Sequence, residues 1–317
     1  MAQLELDHLK FRYGRRATDP LILEDVTMHL QSDRIIALVG ESGSGKTTLG
    51  KIAVGLVSPH EGVMQFNRQA ITQPEVFKTY RRAVQMVHQD PYASLNPTAK
   101  VLDIIGGGLL QHRLANRRTV RGMVRQTLDD VGLPATEEFI WRYPNQLSGG
   151  QRQRVSIARA IALQPELVVA DESVSMLDVS MRVSMLDLLL RLKADRHVGY
   201  LFITHDFGVV RYFAEGETVN VMYRGAIIEQ GICEEVIAHP LHPYTALLLA
   251  SAPIPDPRAN RRREAVPTTE LQDTMDAKIG GCRYRLRCSR AQAQCAGEQP
   301  RLGPDSADHQ VACFFPN

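Results

Sequence analysis

The sequence lacks a strong charge of either sign. Its 37 Lys and Arg residues nearly balance 35 Asp and Glu residues, which leaves a formal net charge of +2. This balance gives no general reason to expect nucleic acid or anionic lipid as a partner. Three consecutive arginines at 261–263 could bind phosphate or lipid, but they lie in a proline-rich stretch, so a solvated linker is the favoured interpretation. The prolines are Pro253, Pro255, Pro257 and Pro267.

A long apolar stretch is also missing. The uncharged segment from Leu241 to Pro255 is interrupted by prolines and is shorter than the ~20 apolar residues that a membrane-spanning helix needs. Residues Met1 to Lys10 alternate between charged and apolar side chains, which is not the pattern of a signal peptide. We therefore expect no membrane span and no leader.

Cysteine is almost absent from most of the chain and then concentrated near its end. Cys233 stands alone, whereas the other four of the five cysteines are Cys282, Cys288, Cys295 and Cys313. Grouped thiols in such a chain indicate metal or redox chemistry before structural disulfides. The spacings lack the close Cys-x-x-Cys pairs of zinc ribbons, which weakens the case for zinc. Reduced cysteines without any metal remain an alternative.

The residues that are present describe an ordinary globular protein with a specialised loop. With 44% hydrophobic and 23% charged residues over 317 positions, the chain fits a main domain plus an appendage. A glycine-rich loop, Gly40 to Thr47, follows the apolar run Ile35 to Val39 and precedes a predicted helix from Thr48 to Val57. A strand, glycine loop and helix in this order present backbone N–H groups to phosphates. Lys46 is predicted to reach the outer phosphates and Thr47 to ligate Mg²⁺.

A second pattern places two carboxylates at the end of a buried strand. Leu167 to Ala170 has the composition of a central parallel strand, and Asp171 and Glu172 follow it at the edge where ligands bind in α/β sheets. Asp171 is predicted to hold Mg²⁺ and Glu172 to polarise the attacking water. The alternative for an isolated pair of this kind is a helix cap or a solvated turn.

Ser148-Gly149-Gly150-Gln151 reads first as a capping box, followed by a helix over Arg152 to Leu163. The two glycines also leave the backbone bare beside a helix N-terminus, which suggests a second anion site. Two half-sites for one nucleotide predict a dimer.

These motifs, in this order, resemble the nucleotide-binding subunit of an ABC transporter. The resemblance rests on residues 40–47, Gln89, residues 147–151, Asp171-Glu172, residues 175–178 and His205, and it covers nearly the whole chain. It implies an α/β P-loop NTPase fold with a helical subdomain at about 90–160. It also implies a head-to-tail dimer in which Ser148 and Gly150 of one subunit cap the ATP of the other.

The resemblance further implies the site residues. Tyr13 would stack on adenine, Gln89 would sense the γ-phosphate and contact Mg²⁺ with Thr47 and Asp171, and Glu172, His205 and Lys46 would carry out hydrolysis. The nucleotide contacts that it implies are Tyr13, Gly40, Glu41, Ser42, Gly43, Ser44, Gly45, Lys46, Thr47, Thr48, Gln89, Ser148, Gly149, Gly150, Gln151, Asp171 and Asp178. The chain departs from the family in having Ser173 instead of Pro after the catalytic Glu, and Met176 instead of Ala in the dimer-interface turn. Because Glu172 is retained, hydrolysis is still expected.

The C-terminal part narrows the resemblance. Residues His239 to Leu248 resemble the extension of ATPase subunits from dipeptide and oligopeptide importers, so we predict an ATPase domain over 1–230 and an extension over 231–317. Thr48 to Gly50 and Ser94 to Pro97 are more similar to the second of the two unlike ATPases in such importers. The implied partners are an unlike ATPase, two permease chains at the cytoplasmic face of the membrane and, indirectly, an extracytoplasmic binding protein. The substrate stays open among dipeptides, longer peptides, nickel complexes, glutathione and sugars.

The sequence around the tail cysteines is similar to importer tails that hold a four-iron four-sulfur (4Fe-4S) cluster. The resemblance assigns the cluster to Cys282, Cys288, Cys295 and Cys313, with Arg283, Arg285 and Arg287 offsetting thiolate charge. Two other functions compete with import. One is a soluble ABC ATPase of translation or repair, which usually has two such domains or a coiled-coil insertion; the other is a redox regulator that acts through its cysteines.

Overall fold

A computed structural model describes residues 1–14, 16, 18–251, 280–304 and 308–317. The arginine run at 261–263 and its flanking prolines lie outside the described residues. In the described parts of the chain, every helix is too short or too polar to cross a bilayer.

The strands form two sheets. The first part of the chain contributes β1 (Gln3–Phe11), β2 (Leu23–Gln31), β3 (Ile35–Val39), β4 (Glu61–Phe66), β5 (Gln69–Ala70) and β6 (Val84–Val87). The rest contributes β7 (Leu167–Asp171), β8 (Gly199–Thr204), β9 (Thr218–Tyr223), β10 (Ala226–Ile232), β11 (Gly303–Pro304) and β12 (His309–Val311). The small antiparallel sheet has the order β2-β1-β4-β5, and the large sheet has the order β11-β12-β10-β9-β3-β8-β7-β6. The predicted strands at 35–39 and 167–170 are therefore confirmed, and β9 and β10 form a hairpin around Arg224-Gly225.

Helices connect and cover these sheets. They are α1 (Lys46–Ala53), α2 (Pro74–Ala83), α3 (Pro91–Ser94), α4 (Val101–Gln111), α5 (Val120–Asp130), α6 (Glu137–Ile140), α7 (Gly149–Ile161), α8 (Val179–Arg196), α9 (Phe207–Phe213), α10 (Cys233–Ala238), α11 (Pro243–Ser251) and α12 (Gln294–Gly297). Helices α3 to α7 occupy the region predicted as the helical subdomain. The predicted first helix starts two residues earlier than expected, at Lys46 instead of Thr48.

The middle of the large sheet is parallel and buried on both faces. β3 lies between β8 and β9 and runs parallel to both. Alternate residues of β3 enter different cores: Ala37 and Val39 pack with the helical region, whereas Leu38 packs with the small sheet and α1. Two-sided burial explains why this strand is a continuous apolar run instead of an alternating one.

The tail adds strands to this sheet. β12 pairs antiparallel with β10, and β11 pairs with β12. Glu229 of β10 is fully buried and accepts hydrogen bonds from the backbone N–H groups of Leu241 (2.7 Å) and His242 (2.9 Å), while His309 Nε2 lies 2.8 Å from its Oε1. One buried carboxylate thus holds two segments of the tail, at residues 241–242 and at His309. The predicted boundary at 230–231 lies inside β10 and stays a prediction.

Candidate functional site

The glycine-rich loop connects the end of β3 to α1. A side chain at Gly40 would place a Cβ 2.2 Å from the carbonyl oxygen of Met222, so the loop can pass β9 only without one. Gly45 has φ +106°, a left-handed conformation that glycine adopts at little cost. α1 begins immediately afterwards without a side-chain cap. The first N–H groups of the helix are therefore available to an anion.

Lys46 is folded back into this loop. Its side chain is buried, and Nζ donates hydrogen bonds to the carbonyl oxygens of Gly40 (2.8 Å) and Glu41 (2.8 Å). Burial lowers the pKa of Lys46, and the negative charges of Glu172, Asp171 and Glu41 oppose that shift. A bound phosphate would oppose it further, so the lysine is placed where an anion stabilises its charged form.

Asp171 and Thr47 form the pair predicted to hold magnesium. Thr47 Oγ1 donates a hydrogen bond of 3.1 Å to Asp171 Oδ1, which joins the start of α1 to the end of β7. Burial raises the pKa of the Asp171 carboxyl, against the effect of the Thr47 hydrogen bond. A hydroxyl and a buried carboxylate are oxygen ligands that suit Mg²⁺, and a cation there would hold Asp171 in its charged form.

Glu172 brings two further predicted residues together. Gln89 Nε2 donates a hydrogen bond of 2.7 Å to Glu172 Oε2, and His205 Nδ1 lies 3.2 Å from Glu172 Oε1. Glu172 itself has φ +43°, which is uncommon for a residue with a side chain, and its N–H donates to the carbonyl oxygen of Ile203. Residues that follow β6 and β8 therefore hold the Glu172 carboxylate at the carboxyl edge of the large sheet, near Lys46. The roles predicted for Gln89 and His205 at the γ-phosphate stay predictions.

Tyr13 lies at the surface beside α1. Its side chain is exposed, its hydroxyl lies 3.1 Å from Thr48 Oγ1, and its ring meets Phe11 edge-on with centroids 5.0 Å apart. An exposed aromatic face held near the phosphate loop suits the predicted stacking on a base.

The Ser148 segment forms the predicted capping box. Ser148 Oγ accepts the Gln151 N–H at 3.3 Å, and Gln151 Oε1 accepts the Ser148 N–H at 3.0 Å. Gly149 is exposed, whereas Gly150 is buried against the Met181 side chain. These contacts all lie within the helix start and its packing against α8, so the segment stands apart from the cluster around Glu172.

The segment from Ser173 to Asp178 contains both departures from the family. Asp178 caps α8 by accepting the Met181 N–H at 2.9 Å, and this bond lowers the pKa of Asp178. Met176 is 63% exposed, which places an apolar side chain at the surface. Ser173 is buried, and its hydroxyl oxygen lacks a hydrogen-bond partner among the described residues.

The four tail cysteines line a single cavity. Its other lining residues are His242, Pro243, Tyr284, Arg285, Arg290, Phe314 and Phe315. Burial raises the pKa of the Cys282 and Cys313 thiols. Cys233 is buried elsewhere, beside Val210. Within the described ranges, no three His, Cys, Asp or Glu side chains form a group that could hold a metal ion. The cysteines converge as the cluster prediction requires, but a metal centre is not evident from their arrangement.

Two of the three arginines predicted to offset thiolate charge have other partners, so that prediction is wrong for them. Arg283 forms an ion pair with Glu24, and Arg287 forms one with Glu41 of the phosphate loop. A guanidinium and a carboxylate carry full opposite charges at neutral pH, and both arginines form such pairs here. The link between Arg287 and Glu41 was missed because the two residues are 246 positions apart.

Comparison with known proteins agrees with the motifs and the fold. The ABC transporter family model matches residues 23–175, and the model for the oligopeptide/dipeptide transporter C-terminal region matches residues 228–295. A putative oligopeptide transport ATP-binding protein of Bacillus subtilis, YkfD, is 39% identical over 98% of this chain and 95% of its own length. The dipeptide transport ATP-binding protein DppF of Haemophilus influenzae is 39% identical over 92% of this chain and 88% of its own.

Solved structures show the same fold. CbiO1 of Clostridium perfringens, part of the transporter complex CbiONQ, gives a TM-score of 0.64 at 25% identity and covers 74% of this chain and 90% of its own. The ATP-binding cassette MJ0796, solved as a dimer bound to ADP and phosphate, gives 0.63 at 26% identity over 73% of this chain and 98% of its own. The two transport ATP-binding proteins, each 39% identical to this chain over more than nine tenths of its length, establish its family. The chain belongs to the ATP-binding proteins of the oligopeptide and dipeptide group of ABC transporters.

Proposed function

We propose that this chain is the ATP-hydrolysing subunit of a peptide importer. The observation that carries the proposal is the convergence of Gln89 and His205 on the Glu172 carboxylate, beside Lys46 and the Thr47–Asp171 pair. Phosphoryl transfer asks a protein mainly to position a nucleophile and to neutralise charge, and these side chains supply both. The relatives described above are named as peptide transport proteins, which favours import over a soluble or redox-regulatory ATPase.

Residues of this chain would divide the work as follows. Mg²⁺, when bound by Thr47 and Asp171, neutralises phosphate charge. Lys46 orients the outer phosphates, and Glu172 accepts a hydrogen bond from the attacking water and polarises it. Gln89 and His205 hold that carboxylate in place. ATP binding closes two subunits on each other, with Ser148 and Gly150 of one facing the nucleotide of the other, and hydrolysis reopens them.

Glu172→Gln tests this assignment in the transporter assembled with its permeases. We expect ATP turnover to fall by at least 100-fold, as for loss of a group that acts in the transition state, while ATP stays bound in a closed dimer. Glu166→Gln is the matched control, because Glu166 is exposed next to the other end of β7 and should leave turnover unchanged. Turnover at the wild-type rate in Glu172→Gln would refute the catalytic role.

The partners are proposed from the family and from the exposed start of α7 at Ser148 and Gly149. We infer a dimer with an unlike ATPase, two permease chains that hold the subunit at the cytoplasmic face of the membrane, and an extracytoplasmic binding protein that selects peptides. The isolated chain should hydrolyse ATP poorly, since its Ser148 segment serves the partner. Full turnover in a strictly monomeric sample would contradict the shared site.

We also propose that the extension, residues 231–317, binds a four-iron four-sulfur cluster. The support is the convergence of Cys282, Cys288, Cys295 and Cys313 on one cavity. A cluster is bound by thiolates at four different irons, so its ligands surround a space and need not meet at a point as they do around one ion. Iron would also compensate the burial that disfavours the charged Cys282 and Cys313 thiolates.

Anaerobic purification of the full chain tests the cluster. We expect brown protein with about four irons and four sulfides per chain, and loss of iron in Cys282→Ser, Cys288→Ser, Cys295→Ser and Cys313→Ser. Cys233→Ser is the control and should keep its iron, because Cys233 lies outside the cavity. Colourless protein with stoichiometric zinc, or protein without any metal, would refute the cluster but not the ATPase assignment.

A further inference from the structure

In the part of the extension that the structure describes, Tyr244 and Arg287 reach back to Glu41 of the phosphate loop. Arg287 donates two hydrogen bonds to the Glu41 carboxylate, from Nη1 to Oε2 at 2.8 Å and from Nη2 to Oε1 at 2.9 Å. The backbone N–H of Glu41 donates to the hydroxyl of Tyr244 at 2.8 Å. Both the main chain and the side chain of this loop residue are therefore held by residues from the extension.

These contacts are built into a packed cluster. The rings of Tyr223, Tyr244 and Tyr284 contact one another, with centroid separations from 4.6 to 5.5 Å. The Arg287 guanidinium lies 5.9 Å from the ring centres of both Tyr223 and Tyr284. An arginine that is held against aromatic rings and donates two parallel hydrogen bonds loses less conformational freedom on forming an ion pair than a mobile surface side chain does. The pair between Arg287 and Glu41 therefore has the geometry of a strong ion pair.

Glu41 matters because of its place in the loop. Its carbonyl oxygen is one of the acceptors for Lys46 Nζ, so the position of its main chain helps to set the position of the phosphate-binding lysine. Its carboxylate is a negative charge in a loop that must receive a polyphosphate. Paired with Arg287, that charge is neutralised; unpaired, it repels the nucleotide.

We propose that Arg287 and Tyr244 are positioning residues of the nucleotide site. They act through Glu41: Arg287 cancels its charge and fixes its side chain, and Tyr244 fixes its main chain. The extension thereby increases the affinity of the phosphate loop for ATP without touching the nucleotide.

Titration of the full-length chain with a fluorescent ATP analogue and Mg²⁺ tests the proposal. Arg287→Gln should weaken binding about 10-fold, because a charge-assisted pair of hydrogen bonds is lost and a carboxylate is left unpaired. Arg301→Gln removes the same charge from an exposed position of the extension and should leave binding unchanged. In a Glu41→Gln background, Arg287→Gln should have no further effect, since the repelling charge is already gone.

Tyr244→Phe provides a milder variant that keeps the aromatic cluster. It removes only the acceptor of the Glu41 N–H and should weaken ATP binding about 3-fold. In the assembled transporter, both single variants should raise KM for ATP while kcat at saturating ATP is retained, which a general loss of stability would not produce. Wild-type affinity in Tyr244→Phe and Arg287→Gln, or a loss in Arg287→Gln that persists in the Glu41→Gln background, would overturn the proposal.

Discussion

Two glycine-rich helix starts in this chain solve the same problem in opposite ways. α1 begins after Gly45 with no side-chain cap, whereas α7 begins after Ser148 with a complete capping box. Unpaired N–H groups at a helix start are costly unless water or an anion meets them, so α1 gains from a phosphate. α7 has already paired part of its donors internally, and Ser148 and Gly149 at its start are exposed.

The difference between the two helix starts separates ATP binding by one chain from ATP hydrolysis in the proposed assembly. Binding to α1 depends on one chain, because the loop, Lys46 and the Thr47–Asp171 pair belong to one fold. In the proposed dimer, the role of α7 toward a nucleotide depends on a second subunit. Variants at the two helix starts should therefore separate isolated-chain binding from assembled hydrolysis, and they are described from the largest expected effect to the smallest.

Lys46→Ala should have the largest effect, a loss of ATP binding at the start of α1. The variant loses the buried Lys46 ammonium group, which would donate charge-assisted hydrogen bonds to phosphate. The affinity of the isolated chain for ATP should therefore fall about 100-fold. Equilibrium titration with labelled ATP measures the loss. The control is Lys78→Ala, an exposed lysine of α2 that should bind ATP normally. Normal binding by Lys46→Ala would remove α1 from the nucleotide site.

Gly45→Ala should damage both stability and binding. The alanine residue must adopt a backbone φ of +106°, and its Cβ would lie 2.9 Å from Leu23 Cδ2 and 3.0 Å from the Ile22 carbonyl oxygen. Strain of this kind costs about 1–3 kcal/mol, which chemical denaturation can measure as a lower free energy of unfolding. Unchanged stability together with normal ATP binding would mean that this loop geometry is not required.

Ser148→Ala should lower stability but spare binding by the isolated chain. Loss of an N-cap hydroxyl costs about 1 kcal/mol of unfolding free energy, while the phosphate loop is untouched. Hydrolysis by the assembled transporter should fall because the partner's nucleotide loses a contact. If ATP affinity of the isolated chain fell as well, the proposed division between the two helix starts would be wrong.

Gly149→Ala is the matched counterpart of Gly45→Ala and should have the smallest effect on the isolated chain. A Cβ at Gly149 would meet no other heavy atom within 4 Å, so the variant should be as stable as wild type or gain about 0.5 kcal/mol. The same methyl group would face the nucleotide of a second subunit and should slow hydrolysis in the assembly. Unimpaired hydrolysis there would argue against a shared site.

Local patterns predicted the parts of the molecule that local physics determines. The strand at 35–39, the strand ending at Asp171 and the capping box at Ser148 were all predicted, because each depends on a short run of residues. The adjacency of Asp171 to Thr47 followed from the rule that ligands bind at the carboxyl edge of such sheets.

Other contacts were not predictable from residue types. Glu229 could have been an exposed charge, and its burial is explained by hydrogen bonds from the Leu241 and His242 N–H groups and by His309 from another strand. The nucleotide contact of Glu41 stays a prediction, and the pairing of its carboxylate with Arg287 was not predicted. One charged residue can pair with any of many opposite charges, so long-range ion pairs leave no signature in a single sequence.

The pairing of Glu41 with Arg287 has a consequence for biosynthesis. A ribosome releases the phosphate loop long before it releases residue 287, and domains fold in that order as they emerge. Until residues 244 and 287 have been translated, the Glu41 carboxylate has no Arg287 to neutralise it and its main chain lacks the support of Tyr244. The contact from the extension therefore forms late in the maturation of the chain, and the nucleotide site reaches its final geometry only in molecules that have been translated past Arg287.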